Sequence, residues 1–555
     1  MFVHICIAKS IASDHPTPWD LVGGDDCRTV SWDSSSQSCF DLARSWIDTC
    51  VNSHEECRSE TSQLPTRVIH VGSEHVEPRL YISHGEKASY LALSHVWGVF
   101  RPLLTEKATL AERLSGILTS DMPKTFQDAV MLTRLLGVQY LWIDSLCIIQ
   151  DDATDWEIES ANMAKVYSNA LLVISADDAK DARDGFLRPR GEGAYSSVEI
   201  PYHDAATNKN GNIYARKKWL DIGDYEDNIY VFDETIEEFA HTGERSHSRS
   251  LLNTRAWAFQ ERLLSPRTLH YSSSEMAFEC RNIIQCECSP RPRREMKSRL
   301  FKNQGIAESS IGRSDWMTIL DSFTDRNLTF DTDRLPALAG VAAAMEPYTA
   351  DDYICGLWRQ EFRTGLLWEI HHRSSPPARR HRQYYAPSWS WASVNGSTVH
   401  GFGRYNGWSE SQGEWAEVLS IDIEKTTKNP YGPGRGSVLL RGYIGLATVS
   451  DFQRRPPLIR LGAAGTKGGE DIIFNVDIEE KPEVVQGGEV YIFVVTSKPS
   501  KEDSTVRTDM SCLVLLKAGE ESPNIYRRVG HAEGFYGQNF NSWDQHFQRE
   551  TVRLI

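Results

Sequence analysis

An apolar stretch of the chain, YLALSHVWG at residues 90–98, ends in polar residues with no turn residue before them. In an open parallel sheet, ligands bind at the carboxyl ends of the strands, so polar groups that arrive there are candidates for binding. Two other apolar runs, YLWID and LLVIS, also end in a polar residue. The candidate binding residues at these strand ends are Ser94, His95, Trp97, Gly98, Asp144 and Ser175. The plainer interpretation is that Trp97 and Gly98 only pack the turn.

Glu261 is the candidate for a catalytic carboxylate. In AWAFQERLL the helical period places Glu261 on one stripe with Trp257 and Leu264. A carboxylate among apolar neighbours loses contact with water, which raises its pKa and is usually avoided without a functional reason. Spacing alone favours the alternative, a glutamate at the edge of the apolar face that pairs with Arg255 or Arg262.

Cysteine chemistry is a second interpretation of the same region. Cys147 and His95 both follow predicted strands, so they could form a thiolate nucleophile and its base. Cys147 lies in the apolar run LCII, however, where a free cysteine usually packs as a small hydrophobic side chain. The sequence therefore favours a packed thiol over a cysteine hydrolase.

Several of the other cysteines, with one histidine, are candidate zinc ligands, but the sequence does not favour this role. Cys50, His54 and Cys57, spaced C-x3-H-x2-C, could begin a zinc site, and Cys280, Cys286 and Cys288 could supply further ligands. Neither group contains the paired CxxC motifs typical of zinc sites. We therefore expect no metal site, no structural disulfide and no resident cofactor.

The composition is typical of a folded protein of the reducing cytoplasm. The chain has 555 residues and 11 cysteines, whose irregular spacing is unlike a disulfide scaffold. Its formal net charge of -16 argues against a nucleic-acid surface, which needs a positive field. No apolar run approaches the roughly 20 residues of a membrane-spanning helix. The motifs GxxxxGKS, GxxxxGKT, HExxH and GxSxG are absent.

Strand and helix signals alternate over residues 90–176, which is typical of parallel βαβ units. We expect adjacent parallel strands at 90–94, 139–144 and 171–175. In the helix before the third strand, Thr154 and Glu157 are spaced as a capping box. Its apolar stripe begins at Trp156, and Glu159 is expected on the exposed face.

Four regions follow from the pattern. An N-terminal segment with an amphipathic docking helix covers 1–75, and an α/β domain covers 76–290 with a polar insertion at 187–250. A helical region and linker follow at 291–378. The β-rich runs of 379–555 predict a small sandwich or barrel.

An ordered set of motifs resembles those of the heterokaryon incompatibility (HET) domain proteins of filamentous fungi. The motifs are LPTRVIHVG, YLALSHVWG, MPKTFQDAV, YLWIDSLCIIQDDATDW, MAKVYSNALLVISA, DGFLRPR, RAWAFQERLLSPRTLHY and PSWSWASV. The resemblance runs from about residue 40 to 290, with weaker likeness beyond. One departure is His95, which stands where the family motif usually has Tyr.

The resemblance implies a role in non-self recognition and regulated cell death after unlike cells fuse. HET domains are also similar to TIR domains, which implies a flavodoxin-like parallel sheet with helices on both faces and, in several branches, cleavage of NAD. WAFQE is similar to the TIR motif W-C-x-x-E, which maps the TIR catalytic glutamate onto Glu261. The strand-end residues named above then form a nucleotide site, with Trp257 as its wall one helical turn before Glu261.

The leading hypothesis is a cytoplasmic HET-domain protein that triggers cell death. NAD or a related nucleotide is its candidate substrate, and an incompatibility protein or a second copy of the chain is its expected partner. Two alternatives stay open. One is a non-enzymatic module that only self-associates or binds a partner, and the other is a cysteine hydrolase based on Cys147.

Overall fold

Two units make up the chain in the computed structural model. The first consists of Met1–Asn228 and Asp233–Ile306, and the second of Ile229–Phe232 and Ala307–Ile555. The structure describes residues 2–8, 26–27, 30–58, 61–190, 198–204, 209–218, 250–288, 293–294, 313–371, 377–399, 415–454, 456–462, 471–478, 484–502, 505–519, 524–536 and 546–555. Among these residues, no helix has the length and apolar content needed to cross a membrane.

The first unit contains both helices and strands. Its strands are β1 (Phe2–Ala8), β2 (Asp26–Cys27), β3 (Arg67–His70), β4 (Arg79–Ile82), β5 (Tyr90–Ser94), β6 (Tyr140–Trp142), β7 (Leu172–Ser175), β8 (Val198–Asp204), β9 (Lys209–Lys218), β10 (Arg267–Tyr271), β11 (Met276–Cys280), β12 (Ile283–Cys286) and β13 (Arg293–Arg294). Its helices are α1 (Gln37–Ser53), α2 (Leu110–Ser115), α3 (Lys124–Leu135), α4 (Asp144–Cys147), α5 (Ala153–Asn169) and α6 (Ala256–Leu264). Short 3-10 turns lie at Glu55–Cys57, Thr119–Asp121 and Leu252–Thr254.

A nine-stranded sheet, flanked by helices, forms the centre of this unit, in the order β13-β12-β11-β10-β7-β5-β6-β3-β4. The pairs β10–β7, β7–β5 and β5–β6 are parallel, which confirms the predicted parallel strands near 90–94, 139–144 and 171–175. Every residue of β5 and β7 is buried, as expected for strands covered on both faces.

The parallel sheet expected from the resemblance is found only in the centre, because both edges of the sheet are antiparallel. On one edge β11 pairs with β10 and β12 with β11, and on the other β3 pairs with β6 and β4 with β3. A parallel connection needs a crossover of about a dozen residues or more, whereas the links β10–β11 and β11–β12 are short hairpins. The sheet is therefore mixed.

The start and orientation of α5 differ from the prediction. Asp152 caps the helix by accepting hydrogen bonds from the amides of Thr154 at 3.0 Å and Asp155 at 3.3 Å, so the predicted capping box is wrong. Glu159 is buried rather than exposed, because it faces Arg67 of β3 at 3.7 Å. Trp156 is 41% exposed and does not begin the buried stripe.

The predicted insertion at 187–250 contains a hairpin of β8 and β9. β9 of this hairpin pairs with β1, and β1 pairs with β2, in a second sheet of order β2-β1-β9-β8. The part of the insertion at 219–249 lies outside the described residues.

The second unit begins with helices and ends in strands. Its helices are α7 (Arg313–Thr324), α8 (Pro336–Thr349) and α9 (Phe362–Gly365), with 3-10 turns at Asp331–Asp333, Arg359–Glu361 and Trp391–Ser393. Its strands are β14 (Tyr353–Ile354), β15 (Leu357–Trp358), β16 (Glu369–Ile370), β17 (Arg379–Arg380), β18 (Val394–Asn395), β19 (Thr398–Val399), β20 (Ala416–Lys425), β21 (Gly434–Asp451), β22 (Leu458–Leu461), β23 (Asp471–Val476), β24 (Glu489–Glu502), β25 (Thr505–Lys517), β26 (Ile525–Tyr536) and β27 (Phe547–Leu554).

The carboxyl-terminal strands of the second unit confirm the predicted β-rich region. An eight-stranded sheet runs in the order β20-β21-β22-β23-β26-β25-β24, and β27 pairs with β21 and β26. Because β24 also pairs with β21, the strands β21, β22, β23, β26, β25 and β24 form a closed ring in that order.

Candidate functional site

Ser94 and Glu261 meet at the carboxyl end of β5. Ser94 is the last residue of that strand, and its hydroxyl donates a hydrogen bond to Oε2 of Glu261 on α6. The two residues are 167 positions apart in the sequence. The fold thus brings the predicted carboxylate to the predicted strand end.

Glu261 is almost sealed from water, with 5% of its surface exposed. Burial raises the pKa of its carboxyl to about 7, while the nearby Arg255 guanidinium and the hydrogen bond from Ser94 act in the opposite direction. The Tyr167 hydroxyl of α5 is a further hydrogen-bond partner. Burial therefore favours the neutral, protonated form of this carboxyl more than in an exposed glutamate.

Asp144 is the more accessible carboxylate of the site. It begins α4 directly after β6, and its side chain is 20% exposed. The indole Nε1 of Trp97 donates to its Oδ2 at 2.8 Å, and the amide of Ser145 donates to its Oδ1 at 2.7 Å. These two donors fix the carboxylate beside the loop that follows β5.

His95 is packed rather than exposed to a ligand. It is 3% exposed, its ring meets Phe126 edge-on at 5.1 Å between centroids, and its backbone oxygen accepts a hydrogen bond from Arg255. Burial lowers the pKa of its imidazole to about 4, against the opposing pull of Asp144, so the ring is neutral at pH 7. Its Nδ1 lies 3.9 Å from Oδ1 of Asp144.

Gly98 and Trp257 flank this region. Gly98 is exposed and has a φ of +78°, and a Cβ at this position would lie 2.2 Å from Cβ of Asp181. Only glycine fits such a left-handed turn at so close an approach. Trp257 is half-buried on α6 and packs against the core of the unit.

A row of polar residues crosses the three adjacent strand ends. Ser175 of β7 is the register partner of both Ser94 of β5 and His270 of β10. The Ser175 hydroxyl donates to Asp177 at 3.0 Å, and Nδ1 of His270 lies 2.8 Å from the other oxygen of Asp177. The opposite nitrogen of His270 lies 3.1 Å from Glu279.

The sequence interpretation missed several members of this polar cluster, namely Tyr167, Asp177, His270 and Glu279. The sequence did offer one signal for His270, since it is a polar residue near the end of the segment RTLHY. The structure buries every residue of that segment. The helical period places Tyr167 on the apolar face of its helix, and its hydroxyl reaches the site from there.

The residues of this site fall within a segment that matches a known family. Residues 90–261 match the model of the family described as heterokaryon incompatibility protein (HET). Residues 90–261 of the chain therefore carry a HET domain. Comparison with curated proteins and with solved structures gave no match. The HET domain implies a role in heterokaryon incompatibility.

The matched HET segment begins at the first residue of β5 and ends at Glu261. It contains the predicted site residues Ser94, His95, Trp97, Gly98, Asp144, Ser175, Trp257 and Glu261. The structure joins Ser94 to Glu261 and Trp97 to Asp144 by hydrogen bonds. Ser175 adjoins Ser94 across the β5–β7 pair.

Cys147 has the properties of a structural thiol of the HET domain. It is 1% exposed, and burial raises its pKa to about 12. A nucleophilic cysteine needs a thiolate near neutral pH and an accessible sulfur, and Cys147 has neither. The neutral, packed His95 also lacks the character of its base.

Proposed function

We propose that the HET domain cleaves the bond between nicotinamide and ribose in NAD or a related nucleotide, and that the loss of NAD drives the cell death of heterokaryon incompatibility. The observation that carries this proposal is the buried carboxyl of Glu261, held at the end of β5 by Ser94. Proteins rarely bury a carboxylate without a reason, and perturbed carboxyls are common at catalytic sites.

The order of the central strands supports a TIR-like, flavodoxin-like core. Side by side in the sheet, these strands stand in the order β6-β5-β7-β10. If the four are numbered along the chain, from β5 as the first to β10 as the fourth, that order is 2-1-3-4. Flavodoxin-like sheets have this order and bind their ligand at the switch point between the first and third strands. Here that point is the β5–β7 pair, where Ser94 and Ser175 are register partners.

The proposed reaction breaks one bond and forms one. The bond from the anomeric carbon to the pyridinium nitrogen breaks with its electron pair on nitrogen, so neutral nicotinamide leaves. Water adds to the anomeric carbon, and its proton goes to solvent. The intermediate state resembles an oxocarbenium ion, so the carboxylate of Glu261 would stabilise its positive charge and orient the ribose hydroxyls.

The surroundings of Glu261 suit this role. A charge acts more strongly where water is excluded, and Glu261 is 5% exposed. Its pKa of about 7 leaves a large fraction ionised at neutral pH. Asp144 and Trp97 form the outer part of the proposed nucleotide site, and Trp257 would be its wall. His95 contributes to the proposed site by packing and not by contact with the nucleotide.

The proposal includes a cytoplasmic location and a protein trigger. An incompatibility protein or a second copy of the chain would switch the domain on. The loop after the site supports such a contact, because Val99 is 96% exposed and Phe100 is 54% exposed beside it.

The direct test is nicotinamide release from NAD by the purified chain. We expect Glu261→Gln, which keeps the shape and removes the charge, to lower the rate by at least about 100-fold. Glu159→Gln is the matched control, because Glu159 is an equally buried glutamate of the same unit that faces Arg67 instead of the site. The control should keep the parental rate.

Two outcomes would contradict the proposal. A folded Glu261→Gln chain that releases nicotinamide at the parental rate would remove Glu261 from the chemistry. A folded parent chain that leaves NAD intact, alone and with its incompatibility partner, would favour the non-enzymatic signalling module.

A further inference from the structure

Four potential metal ligands converge at the end of β11 in the main sheet of the first unit. They are Cys50 in the last turn of α1, His54 directly after that helix, Cys57 in the following 3-10 turn and Cys280 at the end of β11. One ligand atom from each lies within 4.8 Å of all the others. We call these four residues the Cys3His cluster.

The spacing of the atoms fits a tetrahedral zinc ion. Zinc binds sulfur at about 2.3 Å and imidazole nitrogen at about 2.0 Å, so neighbouring ligand atoms in a tetrahedron lie about 3.5 to 3.8 Å apart. Sγ of Cys280 and Nδ1 of His54 are 3.4 Å apart. The three cysteines are fully buried and His54 is half-buried, which gives a closed site with no open position for a substrate.

Backbone amides already point at the sulfurs. The amides of Asn282, between β11 and β12, and of Ile283, the first residue of β12, each lie 3.4 Å from Sγ of Cys280. The amide of Arg281 donates to the sulfur of Cys57. Such donors stabilise negative charge on sulfur and orient metal-bound thiolates. A neutral buried thiol gains little from three amides directed at the cluster.

A buried arginine, Arg267, lies next to the cluster. Arg267 is 1% exposed, and its guanidinium donates to the backbone oxygens of Cys57 and Leu171. Within the described part of the chain it forms no ion pair with an Asp or Glu. Buried charges are normally paired. Three thiolates, one neutral imidazole and one Zn²⁺ carry a net charge of about -1 by this count, which would balance Arg267.

We propose that the Cys3His cluster binds one structural Zn²⁺, which fixes the end of α1 to the β11–β12 hairpin. Binding forms three Zn–S bonds and one Zn–N bond, and the thiols release their protons to solvent. The sequence favoured idle thiols because it offered no paired CxxC motif. Cys280 supplies the fourth ligand from 226 positions beyond His54, so local spacing could not single it out from Cys286 and Cys288.

Metal analysis of the full-length chain tests the proposal. After expression without added metal and dialysis, we expect about one zinc per chain. Cys57→Ser and Cys280→Ser should each lose most of that zinc. Cys39→Ser is the matched control, because Cys39 is buried on the same helix α1 but lies outside the cluster, and it should keep the full amount.

A cobalt measurement on the unmodified chain keeps the test decisive if the variants fail to fold. Cobalt exchanged for zinc should give the intense visible bands of a tetrahedral thiolate complex. Removal of the metal by a chelator should lower the unfolding temperature by about 5 °C or more. Absence of zinc together with weak octahedral cobalt bands, or a disulfide among Cys50, Cys57 and Cys280, would overturn the proposal.

Discussion

Glu261 combines burial with a position beside a polar strand end. Its neighbours are the hydroxyls of Ser94 and Tyr167 and the guanidinium of Arg255. The helical period of AWAFQERLL indicated that its carboxyl could be desolvated and named Arg255 as a possible partner, although spacing alone favoured a glutamate at the edge of the apolar face. Ser94 and Tyr167 were not predictable as partners, because they come from β5 and α5, far away in the sequence.

The first prediction concerns the pH dependence of stability. The folded pKa of Glu261 is about 7, whereas an unfolded glutamate has a pKa of about 4.3. Between these values the folded state binds the proton that the unfolded state has lost, so stability falls as pH rises from about 4 to about 7 and is constant above. The total loss is on the order of 4 kcal/mol.

Glu261→Gln removes this titration, so we expect its unfolding temperature relative to the parent to rise between pH 5 and pH 7. Calorimetry of both chains at pH 5, 6, 7 and 8 measures the difference. A constant difference across this range would mean that the carboxyl of Glu261 titrates normally in the folded chain.

His95 and Asp144 mark the limits of what the sequence reveals about a site. Both were predicted at strand ends, and both lie there. Their roles differ, because His95 turns onto Phe126 and is buried, while Asp144 remains partly exposed and binds Trp97. A position in the chain determines which strand end a residue occupies, whereas its rotation toward core or solvent depends on residues from other elements.

The central strands were predictable because their apolar runs are buried on both faces and are separated by long helical segments. The antiparallel edges were not predictable in the same way, since RTLHY and MAFEC are compatible with either strand orientation. In α5 the prediction failed only where charge was involved. Arg67 of β3 pairs with Asp155 at 2.6 Å and faces Glu159, so charged residues and not Trp156 begin the buried face. That face continues with the predicted apolar residues Met163, Val166 and Tyr167.

The loop after β5 depends on Gly98. We expect Gly98→Ala to lower the free energy of unfolding by about 3 kcal/mol, because the new methyl group adds a clash with Asp181 to the cost of a positive φ. Urea unfolding measures the change. The substitution should also disturb the adjacent hydrogen bond from Trp97 to Asp144.

Gly137→Ala is the matched control for this loop. Gly137 has a φ of +74°, close to the +78° of Gly98, but a Cβ there meets no atom within 4 Å. Its substitution should therefore cost only the conformational share, about 1 kcal/mol. Equal losses in the two variants would show that the contact with Asp181 does not constrain the loop.

The hydrophobic core of the first unit extends beyond the matched HET segment on both sides. The core cluster runs from Cys39 on α1 to Cys280 on β11, whereas the family match covers 90–261. β10, the parallel neighbour of β7, lies wholly outside the match and is fully buried. The family model thus describes the part of the domain that holds the site, and the folding unit is larger.

The final prediction compares two fragments, 1–306 and 90–261. The shorter one lacks buried core side chains that include Phe40, Trp46, Leu269 and Phe278. Each large apolar side chain contributes about 1.5 to 3 kcal/mol when buried, and a domain is stable by only about 5 to 15 kcal/mol. We therefore expect a cooperative thermal transition by circular dichroism for 1–306 and none for 90–261. A cooperative transition in 90–261 would mean that β5, β6 and β7 form a stable sheet without β3 and β10, contrary to the pairing that buries their edges.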